Sequence, residues 1–131
     1  MNECVGSESC AHGIRVLTRP FFVPGGAVQY GCAYLFAYEI TIVNEGPEEV
    51  QLLWRRWLIE DATGLQREVT GAGVVGRQPK IAPGERFEYQ SACPLETPQG
   101  SMEGAFTFQR ADGSMFETPV ARFLLVAAEQ A

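Results

Sequence analysis

Tyr34-Leu35-Phe36-Ala37-Tyr38-Glu39-Ile40-Thr41-Ile42-Val43 decides the fold. Tyr34, Phe36, Tyr38, Ile40 and Ile42 recur at every second position, while Ala33, Ala37, Glu39 and Thr41 take the alternate places. A period of two marks a strand with one face in a core. After it, Asn44-Glu45-Gly46-Pro47 has turn chemistry. Val50 to Glu60 then reads as a strand that is apolar on both faces around Arg55 and Arg56, which places it centrally or beneath a loop. Asp61-Ala62-Thr63-Gly64 turns it into Leu65 to Val69, a hairpin. Further on, Arg86 to Ser91 and Met102 to Phe108 alternate again, and Asp112-Gly113 is a hairpin turn into a last strand, Met115 to Val126. Upstream, Ile14 to Val23 is a strand with Pro20 at an edge or a bulge, ended by Pro24-Gly25-Gly26. Seven or so strands without crossover helices predict an all-β, immunoglobulin-like antiparallel sandwich. Its core should include Tyr34, Phe36, Tyr38, Ile40, Phe87, Tyr89, Phe106 and Phe108.

A chain of 131 residues, 46% hydrophobic and 20% charged, fits one globular domain. Residues 1–12 lack either periodicity and read as a flexible tail, with the sandwich over 13–128. No apolar run is long enough to span a bilayer, and Met1-Asn2-Glu3-Cys4-Val5-Gly6-Ser7-Glu8 lacks the basic, then apolar, order of a secretory signal. The expectation is a cytoplasmic protein with no membrane partner. A net charge of −6 with scattered basic residues offers no stripe for a phosphate backbone, so no nucleic acid partner is expected. Cys4, Cys10, Cys32 and Cys93 form no CxxC pair and read as free thiols.

Gly71-Ala72-Gly73-Val74-Val75-Gly76 matches the GxGxxG string of dinucleotide sites, yet Arg77-Gln78-Pro79-Lys80-Ile81-Ala82-Pro83 cannot supply the helix that such a site needs. No cofactor is expected. The loop remains a candidate ligand or partner surface: glycine-permitted turns at Gly71, Gly73 and Gly76 could aim N–H groups at a small anion beside Arg77 and Lys80, or serve tight packing alone. His12 is the single histidine and lies in the expected tail, so Ser-His or Cys-His catalysis is not expected. Cys4, Cys10 and His12 match no closed metal site. Glu48-Glu49 and Glu60-Asp61 are adjacent pairs, which point to opposite faces of a strand and do not converge. Trp54, Arg55, Arg56 and Trp57 combine the residue types that dominate interface hot spots with a strand that has apolar side chains to spare. They form the candidate interface, with core packing and snorkelling arginines as the alternative.

The segments Gln51-Leu52-Leu53-Trp54-Arg55-Arg56-Trp57, Asp61-Ala62-Thr63-Gly64, Val69-Thr70-Gly71-Ala72-Gly73-Val74-Val75-Gly76 and Pro83-Gly84-Glu85-Arg86-Phe87-Glu88-Tyr89 occur in order, followed by Cys93-Pro94-Leu95-Glu96-Thr97-Pro98-Gln99-Gly100-Ser101-Met102-Glu103-Gly104. Together with Phe36-Ala37-Tyr38-Glu39-Ile40, this series resembles the ApaG family over nearly everything after residue 12. The family usually has Arg-His-Trp where this chain has Arg55-Arg56-Trp57. The resemblance implies a fibronectin type III-like sandwich. It also implies an association with cobalt and magnesium tolerance and diadenosine polyphosphate metabolism in bacteria, and with protein-binding modules in eukaryotic F-box and polymerase-interacting proteins. The expected function is a non-catalytic module for a protein partner, a second copy in a homodimer included. The alternative is a binder of a small anion, nucleotide-like ligand or divalent metal at the glycine-rich loop.

Overall fold

A computed structural model describes residues 6–127. Nine strands occur among them: β1 (Ser7–Ala11), β2 (Ile14–Phe22), β3 (Tyr34–Asn44), β4 (Val50–Asp61), β5 (Gln66–Ala72), β6 (Lys80–Ile81), β7 (Arg86–Leu95), β8 (Gln99–Arg110) and β9 (Met115–Val126). A single helical turn, α1 (Ala27–Tyr30), follows the Pro24-Gly25-Gly26 turn. One sheet runs β1-β2-β3-β7, and the other runs β5-β4-β8-β9 with β6 also on β4. All the pairings are antiparallel. The fold is the two-sheet sandwich that the alternation predicts, and no helix among the described residues is long and apolar enough to cross a membrane.

The core lies between the sheets. Phe36, Ile40 and Ile42 from β3 meet Leu52 and Trp57 from β4, Phe106 and Phe108 from β8, and Phe123 and Leu125 from β9. Trp57 is the hub, edge-on to Tyr38 of the opposite sheet at 5.5 Å and to Phe106 and Phe123 of its own at 6.0 Å. Of the expected core residues, Phe36, Tyr38, Ile40, Phe106 and Phe108 are buried, whereas Tyr34, Phe87 and Tyr89 are half-buried and pack against the cluster from its margin.

Strand β4 is apolar on both faces because it carries a bulge. Leu52 pairs with Phe108 but Trp54 with Thr107, so Leu53 is an extra residue on this strand. The bulge inverts the phase: Val50 and Leu52 point inward before it, and Trp57 and Ile59 after it. The freed Leu53 carbonyl accepts from the Gly73 amide at 2.8 Å and from Gln78 Nε2 at 3.0 Å. A buried Asn44 ends β3, its side chain holding Glu48 O and Ile81 O at 2.8 Å and accepting from the Gly46 amide at 2.9 Å.

One expectation is corrected. Within the expected flexible tail of residues 1–12, Ser7–Ala11 form the edge strand β1, in register with Ile14 to Thr18; residues 1–5 lie outside the described residues. Its inward row is Ser7, Ser9 and Ala11, with no large apolar side chain. Ser7 Oγ donates to Ala121 O at 2.7 Å and Ser9 Oγ to Pro119 O at 2.6 Å, so hydroxyls tie β1 across to β9 and close that flank of the sandwich. A serine alternation has no hydrophobic signature, which is why the strand reads as a tail.

Candidate functional site

The glycine-rich loop is ordered, with no helix after it. Gly71 and Ala72 end β5, and Val74 and Arg77 then face each other across a two-residue hairpin turn, Val74 N to Arg77 O at 2.8 Å and Arg77 N to Val74 O at 2.9 Å. Val75 and Gly76 at its tip have φ of 42° and 79°, the pattern of a type I′ turn. Each glycine has a local task. A side chain at Gly71 would strike the Arg55 guanidinium, and one at Gly73, itself at φ 65°, would come within 2.2 Å of Arg77 O. The amides of Gly73, Val74 and Arg77 already donate inside the protein, so the loop is not an open nest of N–H groups. Arg77 reaches away to lie 5.3 Å from the centroid of the Phe87 ring on β7, and Lys80 stands exposed on β6 beside Gln51.

Val75 is exposed and β-branched, in a conformation that costs such a residue about 1 to 2 kcal/mol. Val75→Asn creates the Asn-Gly sequence that type I′ turns prefer and should raise stability by about 1 kcal/mol. Urea denaturation checks this. A loss of stability would show that the Val75 side chain contributes more than its backbone costs.

The bulge at Leu53 splits the quartet Trp54, Arg55, Arg56 and Trp57. Trp57 is core, while Trp54 and Arg56 stand on the outer face of their sheet. Arg55 points inward and donates from Nη1 to Ala72 O at 3.1 Å and Gly73 O at 2.9 Å, which uses the space that Gly71 leaves open. Strand and loop, separate features in the sequence, therefore meet at Arg55.

This junction continues along the seam between the edge strands β5 and β7. Register places Arg67, Val69 and Gly71 in the same inward row as Ile59, Trp57 and Arg55. Phe87, Tyr89, Ser91 and Cys93 face them from β7, opposite Ile42, Ile40, Tyr38 and Phe36. Arg67 Nη2 crosses the seam to Pro94 O at 2.8 Å. Burial raises the pKa of Tyr38, against a hydrogen bond with Ser91 and the weaker pull of Arg55, and pushes that of Tyr89 well up, against the charge of Arg55. Burial also raises the Cys93 thiol to about 11, against the pull of Arg67. Both tyrosines read as core in the sequence. Their polar ends become visible only once register puts them opposite Arg55.

The other candidates stay apart. The His12 ring packs 5.1 Å from Phe116, and Cys10, Cys32 and Cys93 are free thiols; Cys4 lies outside the described residues. Among the described residues no three His, Cys, Asp or Glu side chains gather as a metal site would need. Asp61 caps its own turn, accepting from the Thr63 and Leu65 amides at 2.9 and 3.2 Å, and the Thr63 hydroxyl holds its carboxyl below the usual range. Glu48 reaches Arg110 instead, at 3.8 Å.

Comparison with known proteins agrees with this architecture. The family model described as the ApaG domain (DUF525) matches residues 26–110. Protein ApaG of Methylobacterium sp. (strain 4-46) is 48% identical over 113 residues, 86% of this chain and 87% of that one. Protein ApaG of Anaeromyxobacter dehalogenans (strain 2CP-1) is 46% identical over 120 residues, 92% of this chain and 94% of that one. The crystal structure of the putative ApaA protein from Bordetella pertussis superposes with a TM-score of 0.83 at 42% identity, over 89% of this chain and 95% of that one. Sequence motifs, sandwich topology and these matches agree, and the chain belongs to the ApaG family.

Proposed function

We propose that this chain is a non-catalytic binding module acting in the cytoplasm, and that it docks a protein partner on the outer face of the β5-β4-β8-β9 sheet. Trp54 carries the reading. It is 46% exposed in the middle of a strand with neighbours on both sides, because those neighbours, Ala72 and Thr107, are too small to cover it. Arg56 follows two residues on, between Thr70 and Ala105, which are small as well. A tryptophan and an arginine thus rise from a shallow floor of alanine and threonine, the residue types and relief of an interface hot spot. The ion pair that Arg56 makes with Glu68 is long, at 3.6 Å, and exposed, so it costs little to exchange for a partner's carboxylate.

The test is quantitative capture from a lysate of the source cell with tagged wild type, Trp54→Ala, and an Arg77→Ala/Lys80→Ala double variant. Partners that depend on the sheet face should fall about tenfold or more with Trp54→Ala and persist with the loop variant. Sedimentation of the purified chain shows whether a second copy is among them. If Trp54→Ala captures the same proteins in the same amounts, this face is not the docking surface.

A further inference from the structure

The seam between β5 and β7 contains a polar group that the fold does not use. The Tyr89 hydroxyl is buried and meets no hydrogen-bond partner, one of two such side-chain oxygens among the described residues, the other being Thr118 Oγ1. A buried hydroxyl without a partner costs about 1 to 3 kcal/mol, so a native fold that keeps one has a reason for it. The inward row of β4 and β5 faces this phenol. Arg55 binds Ala72 O and Gly73 O through Nη1 alone, and its Nε and Nη2 donate to no protein atom among the described residues. Tyr38 borders the cluster with its hydroxyl already hydrogen-bonded to Ser91; its ring is held by Trp57, two residues from Arg55 on the same row.

Chemistry narrows what fits there. Like any phenol near neutral pH, Tyr89 is protonated and has an O–H to give, and a guanidinium only donates. Arg55 offers donors alone, so the group that satisfies it and the Tyr89 O–H together is an acceptor. The rim matches: Arg67 and Arg77 lie along the same seam, one at Pro94 and one over Phe87, which gathers three cations in a chain of net charge −6. A fork of guanidinium donors suits an oxyanion better than a spherical ion.

We propose that the β5/β7 seam binds a small oxyanion of the phosphate or sulfate class, one oxygen of which sits between the Tyr89 hydroxyl and the free side of the Arg55 guanidinium. The site is distinct from the outer face that carries Trp54. It is also distinct from the backbone of the glycine-rich loop, whose contribution is indirect: Gly71 leaves the space for Arg55, and the Ala72 and Gly73 carbonyls fix its orientation.

Tyr89→Phe is the decisive variant, because it deletes a hydroxyl that holds nothing in the protein and should leave the unliganded chain as stable as wild type or more so. Inorganic phosphate, sulfate, glycerol 3-phosphate and chloride are titrated separately into both proteins at constant ionic strength, followed by amide and arginine Nε–H NMR and by melting temperature. In wild type, phosphate and sulfate should shift Arg55 Nε–H and the amides of Tyr38 and Tyr89 saturably and raise the melting temperature. In Tyr89→Phe, affinity should fall about tenfold or more. Glycerol 3-phosphate binding as well as phosphate assigns the site to a phosphoryl group on a larger molecule; weaker binding assigns it to the free ion. The proposal is overturned by flat wild-type titrations at tens of millimolar, which would mean that the hydroxyl is merely hydrated. It is equally overturned by a chloride response equal to that of phosphate, or by a response that Tyr89→Phe leaves intact.

Discussion

Replacing Trp57 with alanine should cost about 3 to 5 kcal/mol, whereas the same change at Trp54, three residues away, should stay within about 1 kcal/mol. Trp57 is 3% exposed and contacts rings of both sheets, so its removal opens a cavity that neither sheet can close alone. Trp54 touches solvent over nearly half its surface and lies over small residues, so little packing is lost with it. Chemical denaturation followed by circular dichroism gives both values. The contrast rests on the bulge at Leu53, because without it Trp54 would share the inward phase of Val50 and Leu52, and Trp57 would face solvent. Equal costs at the two positions would therefore disprove the register of β4. A small effect at Trp54 also lets the capture experiment with Trp54→Ala report on binding rather than on folding.

Strand β3 was legible because nothing interrupts it: five large residues keep one phase from Tyr34 to Ile42, and the structure places them on the inward face with Tyr34 at the margin. Strand β4 was legible as a strand but not as a bulged one. Its apolar residues run even at Val50 and Leu52 and odd at Trp57 and Ile59, and that change of parity is the trace of the extra residue. Strand β1 left no such trace, since Ser7 and Ser9 close the flank through hydroxyls and not through apolar contact. The candidate site divides in the same way. Three glycines followed by two prolines exclude a dinucleotide fingerprint on local grounds. That Arg55 turns inward beneath them depends on which residue of β5 faces it, and such pairings are set by register, which a single sequence does not display. Tyr89 shows the limit most clearly. Alternation places its ring in the core, but a hydroxyl with no partner can be recognised only when everything around it is in place.

Removing the Asn44 side chain should be as damaging as removing Trp57, although it deletes no hydrophobic surface. Asn44 is fully buried, and its amide group serves three backbone groups at once: Nδ2 donates to Glu48 O and Ile81 O, and Oδ1 accepts from the Gly46 amide. Its own main chain is also engaged, with Asn44 N on Glu85 O at 3.0 Å and Gly84 N on Asn44 O at 2.7 Å. One residue thus fastens the turn between β3 and β4 to β6 and to the start of β7. Asn44→Ala strips partners from groups that the fold has withdrawn from water, at about 1 to 3 kcal/mol each and not additively, so a loss of about 3 to 5 kcal/mol is expected. Asn44→Asp separates hydrogen bonding from shape. The carboxylate keeps the bond from Gly46 but turns a charge toward two carbonyl oxygens, which raises its folded pKa above the unfolded value of about 3.9. A group whose folded pKa is raised contributes stability below the unfolded pKa and loses it as pH climbs through the folded one. The deficit of Asn44→Asp relative to wild type should accordingly be largest at neutral pH and shrink as pH falls toward 4, where the protonated carboxyl can donate to one of the two carbonyls. The deficit of Asn44→Ala should not change over that range. Parallel urea denaturation of the three proteins from pH 7 to pH 4 reads both trends, and a pH-independent deficit for Asn44→Asp would show that the two carbonyls are not what Asn44 holds.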